Sequence, residues 1–210
     1  MPAGQRRRCD VPAGPLDPED VRSLWRVLGV RFGFGIASKG DPRAAEIGRW
    51  VTKAGIIAAS DWQERFASYL PLPLELGGPT VFLPFAPGEA TDVWPLRSQA
   101  LVAVHEAQHA AQYQLDPIGY LGGYLGSTAR RANYEREARS AAECVRWRVW
   151  EEMADPVVAT SSLVTAYGCH LADAAVAAED LRLDEETIRA GGITAEAAAV
   201  ALDWWRIRTA

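Results

Sequence analysis

One ten-residue segment, 104–113 with the sequence VHEAQHAAQY, constrains the fold of this chain more than any other. It lies in a run that predicts one helix over residues 96–115, and helical residues at positions i and i+4 lie on the same face. His105 and His109 therefore project side by side, and Glu106 directly follows the first of them. The spacing His-Glu-x-x-His is typical of helices that bind zinc and place a carboxylate beside an activated water. The alternative is that the two histidines simply share a helix face.

A catalytic zinc site takes three protein ligands, so a second segment has to pack against this helix. A third histidine shortly downstream, as in His-Glu-x-x-His-x-x-Gly-x-x-His, is excluded because Gln112 and Leu115 stand at the glycine and histidine positions. A glutamate on a later helix is the other common solution.

Two glutamates, Glu135 and Glu137, lie on a helix predicted over residues 132–153. Helical phase places Glu137 among apolar and small side chains and Glu135 toward arginines that we expect to form a solvated face. An acid on an apolar face needs a partner, and a metal ion supplies one. We therefore expect Glu137 to be the third ligand, with Glu135 as the alternative and Glu143 and His170 as weaker candidates.

Asp-Pro pairs occur at 17–18, 41–42, 116–117 and 155–156, and each predicts a helix start. The aspartate accepts hydrogen bonds from the first helical turn, where proline needs no donor. The predicted helices are 18–28, 42–58, 61–69, 96–115, a short one from 117, 132–153, 156–180 and 194–208. Residues 80–83 are the best strand candidate, with 73–76 as its partner and an open edge to which an extended peptide could add. The pattern predicts a mainly α fold, or α+β with a small β-hairpin or edge strand.

The length of 210 residues fits one domain with a helical appendage. We expect an extended tail over 1–16, a main domain over 17–155 and a C-terminal helical extension over 156–210 that packs on the same domain.

The net charge of −5 argues against a nucleic-acid partner, and no stretch is long enough for a membrane span. The absence of a secretory signal and the three cysteines without Cys-x-x-Cys spacing predict a cytoplasmic protein, unless another machine exports or packages it.

The motif at 105–112, followed by Tyr-Glu-x-Glu-Ala at 134–138, resembles small bacterial gluzincin metallopeptidase domains. In that family an extended segment ending in Leu-Pro, here 81–84, often precedes the active-site helix. The resemblance covers about residues 61–153 and implies a zincin-like helical core that hydrolyses a protein or peptide substrate. It also implies a set of roles: His105, His109 and Glu137 bind Zn²⁺, and Glu106 is the general base.

Peptide hydrolysis also needs a donor for the developing oxyanion. The candidates, in falling order, are Tyr134, His170, Tyr120 and Tyr124. A different function is that of a catalytically inactive zincin-like component of a larger assembly, such as a phage particle or an injection machine. Partner proteins would then contact the N-terminal tail or the C-terminal helices, although we expect Trp204 and Trp205 to pack on the chain's own core.

Overall fold

A computed structural model of the chain describes residues 14–53, 67–72 and 77–210. These residues form a mainly helical α+β structure with a small three-stranded sheet, which confirms the predicted fold class. In chain order the elements are α1 (Pro18–Phe32), β1 (Gly35–Ser38), α2 (Pro42–Lys53), β2 (Ser68–Leu70), β3 (Thr80–Leu83), α3 (Leu96–Leu115), α4 (Pro117–Gly126), α5 (Thr128–Trp150), α6 (Pro156–Thr165), α7 (Leu171–Arg189) and α8 (Glu196–Thr209).

Each of the four Asp-Pro pairs begins a helix, as predicted. The carboxylates of Asp17, Asp116 and Asp155 accept hydrogen bonds from backbone N–H groups in the first turns of α1, α4 and α6. Asp41 accepts one from the Arg43 N–H at the start of α2. These bonds satisfy donors that have no partner within the helix.

Several helix boundaries differ from the sequence prediction; α5, for example, runs over Thr128–Trp150 and not over 132–153. Helix α1 passes the expected stop at Gly29 and ends at Gly33, which adopts a left-handed φ of 62°. Gly29 is instead a point of close approach, because a Cβ there would lie 2.9 Å from the Phe34 carbonyl oxygen. The single helix expected over 156–180 is two helices, separated by a turn in which Gly168 has a φ of 60°.

The sheet has the order β1-β3-β2, with β1 parallel and β2 antiparallel to β3. Two expectations are therefore wrong: β3 is the central strand and not an open edge, and Ser68 and Tyr69 lie in a strand and not at the end of a helix. Four expectations fall wholly or partly outside the described residues: the strand 73–76, residues 54–58 of the helix expected over 42–58, residues 61–66 of the helix expected over 61–69, and residues 1–13 of the tail expected over 1–16.

Helix α3 occupies the centre of the fold, where it packs against α1, α5 and α8. The larger hydrophobic cluster joins these helices to β2 and β3 and includes both Trp204 and Trp205 of α8. A smaller cluster joins α5 to α6, α7 and the turn between them. The residues after 155 therefore contribute to both clusters. Within the described ranges, no helix combines the length and the apolar character that a membrane crossing requires.

Candidate metal centre

The two histidines of α3 face the same space. Their Nε2 atoms lie 3.2 Å apart, and the rings meet edge to face. His109 is 4% exposed, and His105 lies at the margin of the core. Two imidazole nitrogens at this separation need either a shared proton or a cation between them, because their lone pairs otherwise repel each other.

Glu135 of α5 completes the group. Its Oε2 lies 3.3 Å from Nε2 of His105, and its Oε1 lies 3.3 Å from Nε2 of His109. Ligand atoms bound tetrahedrally to zinc at about 2.0–2.1 Å lie about 3.3–3.4 Å from one another. One ligand atom from each of the three residues fits within 4.8 Å, and these residues are His105, His109 and Glu135.

The expectation that Glu137 joins the histidines is not met. Glu135 is 1% exposed, whereas the side chain of Glu137 is 36% exposed. Helical phase alone predicts that the arginine-bearing side of α5 is solvated. The structure buries Arg131 there, with its guanidinium donating to the carbonyl oxygens of Tyr124 and Tyr167. Glu135 follows Arg131 by one turn and therefore points into the same interior.

Hydrogen bonds outside the group fix its two most buried members. Gln112 donates through its Nε2 to the Tyr134 carbonyl and to Glu137 Oε2, so its Oε1 faces Nδ1 of His109 at 2.9 Å. His109 Nδ1 therefore carries a proton, and in the neutral ring Nε2 presents its lone pair toward Glu135. On the other side, the Tyr124 hydroxyl donates to Glu135 Oε1 at 2.6 Å.

The residues present fit a bound cation. Glu135 Oε2 is buried and lacks a hydrogen-bond donor of good geometry, although it faces His105. Burial opposes the ionisation of Glu135, but the two imidazoles outweigh it and hold its pKa well below the usual range. Burial likewise opposes protonation of His109, but the charge of Glu135 raises the pKa of His109 to about 9. The space between these groups therefore favours positive charge, and two imidazoles with one carboxylate are a donor set of catalytic zinc sites.

Glu106 lies beside the cluster and is 4% exposed. Its Oε2 accepts a 2.7 Å hydrogen bond from the Tyr69 backbone N–H, so the outer edge of β2 faces α3. Burial raises the pKa of Glu106, and the nearby charge of Glu135 acts in the same direction. Lys39, directly after β1, is buried near Glu106, and burial lowers the pKa of its ammonium to about 8.

Two cavities open onto this cluster. The larger, of about 470 Å³, has mainly apolar walls from α2, β2 and α4, and it reaches Glu106, His109 and Glu135. The smaller, of about 230 Å³, lies between α3, α5 and α6 and reaches His105 and Glu106. Three residues line both cavities: Ala67, Glu106 and Tyr167.

The two oxyanion donors ranked first, Tyr134 and His170, do not line the cavities, whereas the two ranked last do. The Tyr134 hydroxyl donates to the Gly119 carbonyl, and Tyr134 lines neither of the two cavities. His170 is exposed at the start of α7. Tyr120 and Tyr124, the last two candidates, line the larger cavity. Glu143 lines the smaller one, where it accepts a hydrogen bond from the Ala154 N–H.

Sequence reasoning missed three residues near the cluster: Lys39, Arg139 and the backbone of Tyr69. Lys39 and Tyr69 carry no local motif that would identify them. Arg139 stands four residues after Glu135 on α5, so a metal ligand at Glu135 places Arg139 one helical turn from the metal.

Comparisons of the chain with models of known protein families, with curated proteins and with solved structures found no match.

Proposed function

We propose that this protein is a zinc-dependent metallopeptidase that hydrolyses peptide bonds. The observation that carries the proposal is the convergence of His105, His109 and Glu135 on one point, with Glu106 beside them at the junction of two cavities. The donor set, its spacing and the adjacent carboxylate match what a catalytic zinc site requires. Zn²⁺, when bound, activates water for attack and polarises a carbonyl.

The chain's own residues supply the proton transfer. The Tyr69 N–H holds Oε2 of Glu106 and so orients the carboxylate, which leaves Oε1 as the oxygen that takes a proton from the attacking water. The same atom returns the proton to the leaving amine. Gln112 holds the ring of His109, and Tyr124 holds Glu135, so the ligands do not have to reorganise during the reaction.

The substitution Glu106→Gln tests the proposal, because glutamine keeps an acceptor for the Tyr69 N–H but cannot act as a base. We expect wild type and variant, purified without added metal, to contain one zinc per chain. Cleavage of an unstructured protein such as casein should fall by about 10²–10⁴-fold in the variant. Elemental analysis and a gel-based cleavage assay measure the two properties.

Glu186→Gln, at an exposed position on α7, is the matched control and should leave both properties unchanged. A folded wild-type protein without metal would contradict the zinc site. A Glu106→Gln variant that cleaves as fast as wild type would contradict the role of Glu106 as base.

One observation favours the second candidate, an inactive structural component of a larger assembly. The Glu106 carboxylate is buried and already hydrogen-bonded to a strand of the same chain, an arrangement that could serve stability alone. A zinc-containing wild type that cleaves nothing in a broad peptide library would support this candidate.

A further inference from the structure

Arg139 is a cation beside the candidate centre that lacks an anionic partner. It lies one turn after Glu135 on the same face of α5 and lines the smaller cavity together with His105 and Glu106. Its Nη2 donates to the Ser162 hydroxyl at 2.6 Å, and its Nε is buried without a hydrogen-bond partner. Among the described residues, no carboxylate forms an ion pair with it.

The two carboxylates that line the smaller cavity each have another partner and form no ion pair with Arg139. Arg146 Nε lies 3.3 Å from Glu143 Oε1, so that pair is neutral in sum. The other carboxylate of the cavity is Glu106, which accepts the Tyr69 N–H and forms no ion pair with Arg139, so the guanidinium has room for a further carboxylate. A partly buried guanidinium gains from a carboxylate, which accepts its N–H groups in pairs and replaces the water lost on burial.

The larger cavity has a different chemistry. Its walls include Ile47, Leu70, Leu72, Leu121 and Leu125, which suit an apolar side chain. Ala67, Glu106 and Tyr167 line both cavities. The apolar cavity and the cavity that contains the Arg139 guanidinium are therefore adjacent. The C-terminal residue of a peptide carries an apolar side chain and a carboxylate on one carbon atom, and it would fill both spaces.

We propose that Arg139 binds the C-terminal carboxylate of the substrate, so that the protein removes apolar residues from peptide C-termini. This inference rests on the proposed peptidase function. Water adds across the last peptide bond: a C–O bond forms at the carbonyl carbon, the C–N bond breaks, and the proton released by water goes to the leaving amine. The products are a shortened peptide and a free apolar amino acid.

Binding of two small probes tests the carboxylate anchor without turnover. N-acetyl-L-phenylalanine carries the carboxylate, and N-acetyl-L-phenylalaninamide replaces it with a neutral amide. We expect calorimetric titration of the full-length protein to show about tenfold or stronger preference for the acid. Arg139→Gln should abolish that preference. The titrations are run with zinc and after chelation, because a carboxylate that binds only to the metal would need zinc and not Arg139.

Matched variants separate the anchor from a structural role of Arg139. Arg130→Gln, at an exposed position on the same helix, should keep the preference. Ser162→Ala removes the hydroxyl that Arg139 contacts but leaves the guanidinium, so it should keep the preference as well. Arg139→Lys should keep part of it. Thermal unfolding of each variant shows whether it folds.

Equal binding of acid and amide to wild type, or a preference that survives Arg139→Gln, would overturn the anchor. A third probe, N-acetyl-L-glutamic acid with its α-carboxyl amidated, carries only a side-chain carboxylate. Arg139-dependent binding of this probe as tight as that of the acid would overturn the C-terminal assignment.

If the protein cleaves casein internally but does not prefer the acid, this inference fails and the proposed function stands. If the preference holds but zinc and cleavage are absent, the proposed function fails and the anion site remains.

Discussion

Glu135 and Glu137 stand two positions apart on α5, and their contacts predict opposite effects on metal affinity. We expect Glu135→Ala to weaken zinc binding by more than 100-fold, because it removes a carboxylate that faces both histidines. Glu137→Ala should weaken it by about tenfold or less, since Glu137 acts only by holding Gln112, which holds His109. Competition with a chromophoric chelator measures both affinities, and the reverse order would show that Glu137 is the ligand.

At the same scale, the sequence identified the two histidines and Glu106 because their spacing within one helix fixes their relative positions. The sequence pointed to Glu137 and not Glu135 as the third ligand, because helical phase alone does not show which side of α5 faces the histidines. Arg131 made one side of α5 look solvated, yet its guanidinium binds backbone carbonyls in the interior. A charged side chain with buried partners gives the same pattern in sequence as an exposed one.

At the scale of single elements, Trp205 is the most deeply buried aromatic anchor of α8. Trp205 is 0% exposed, and its ring meets those of Trp150 and Trp204 edge to face. We expect Trp205→Ala to lower the free energy of unfolding by about 3–5 kcal/mol through lost burial and a residual cavity. Ile207→Ala, at a position 79% exposed on the same helix, should change it by less than about 0.5 kcal/mol. Urea unfolding measures both, and similar values for the two variants would contradict the anchor.

The helices were more predictable than the strands for a physical reason. Asp-Pro starts and the span of α3 depend on local contacts, and both were predicted correctly. Strand β2 has three residues, and β1 pairs with a strand more than forty positions away. Such pairing depends on tertiary packing, which short segments do not encode.

At the scale of the whole molecule, the two ends of the described chain meet. Helices α1 and α8 pack on each other and on α3, although they are far apart in sequence. The Arg208 guanidinium pairs with Asp20, which also accepts a hydrogen bond from the Asp17 N–H in a capping box. No local pattern predicts this closure, because the sequence shows which residues suit a core but not which helices share it.

The pair between Arg208 and Asp20 should make this closure dependent on pH. Burial opposes the charge of Asp20, but Arg208 and the Asp17 N–H outweigh it and lower its pKa below the ordinary value of 3.8. The folded state therefore holds the proton more weakly than the unfolded state does. The stabilisation is complete above that ordinary value and is lost as the pH falls through the lowered pKa.

We expect Asp20→Asn to reduce the free energy of unfolding by about 1–2 kcal/mol near pH 7, and the deficit to be smaller at a pH below the ordinary value of 3.8. Asparagine still accepts the Asp17 N–H, so the loss reports mainly the pair with Arg208. The control is Asp203→Asn, which removes an exposed pair with Arg206 within α8 and should cost less than about 0.5 kcal/mol at either pH. Urea unfolding at both pH values measures the difference. A deficit of the same size at the two pH values would mean that the side-chain shape of Asp20, and not its charge, joins the two ends of the fold.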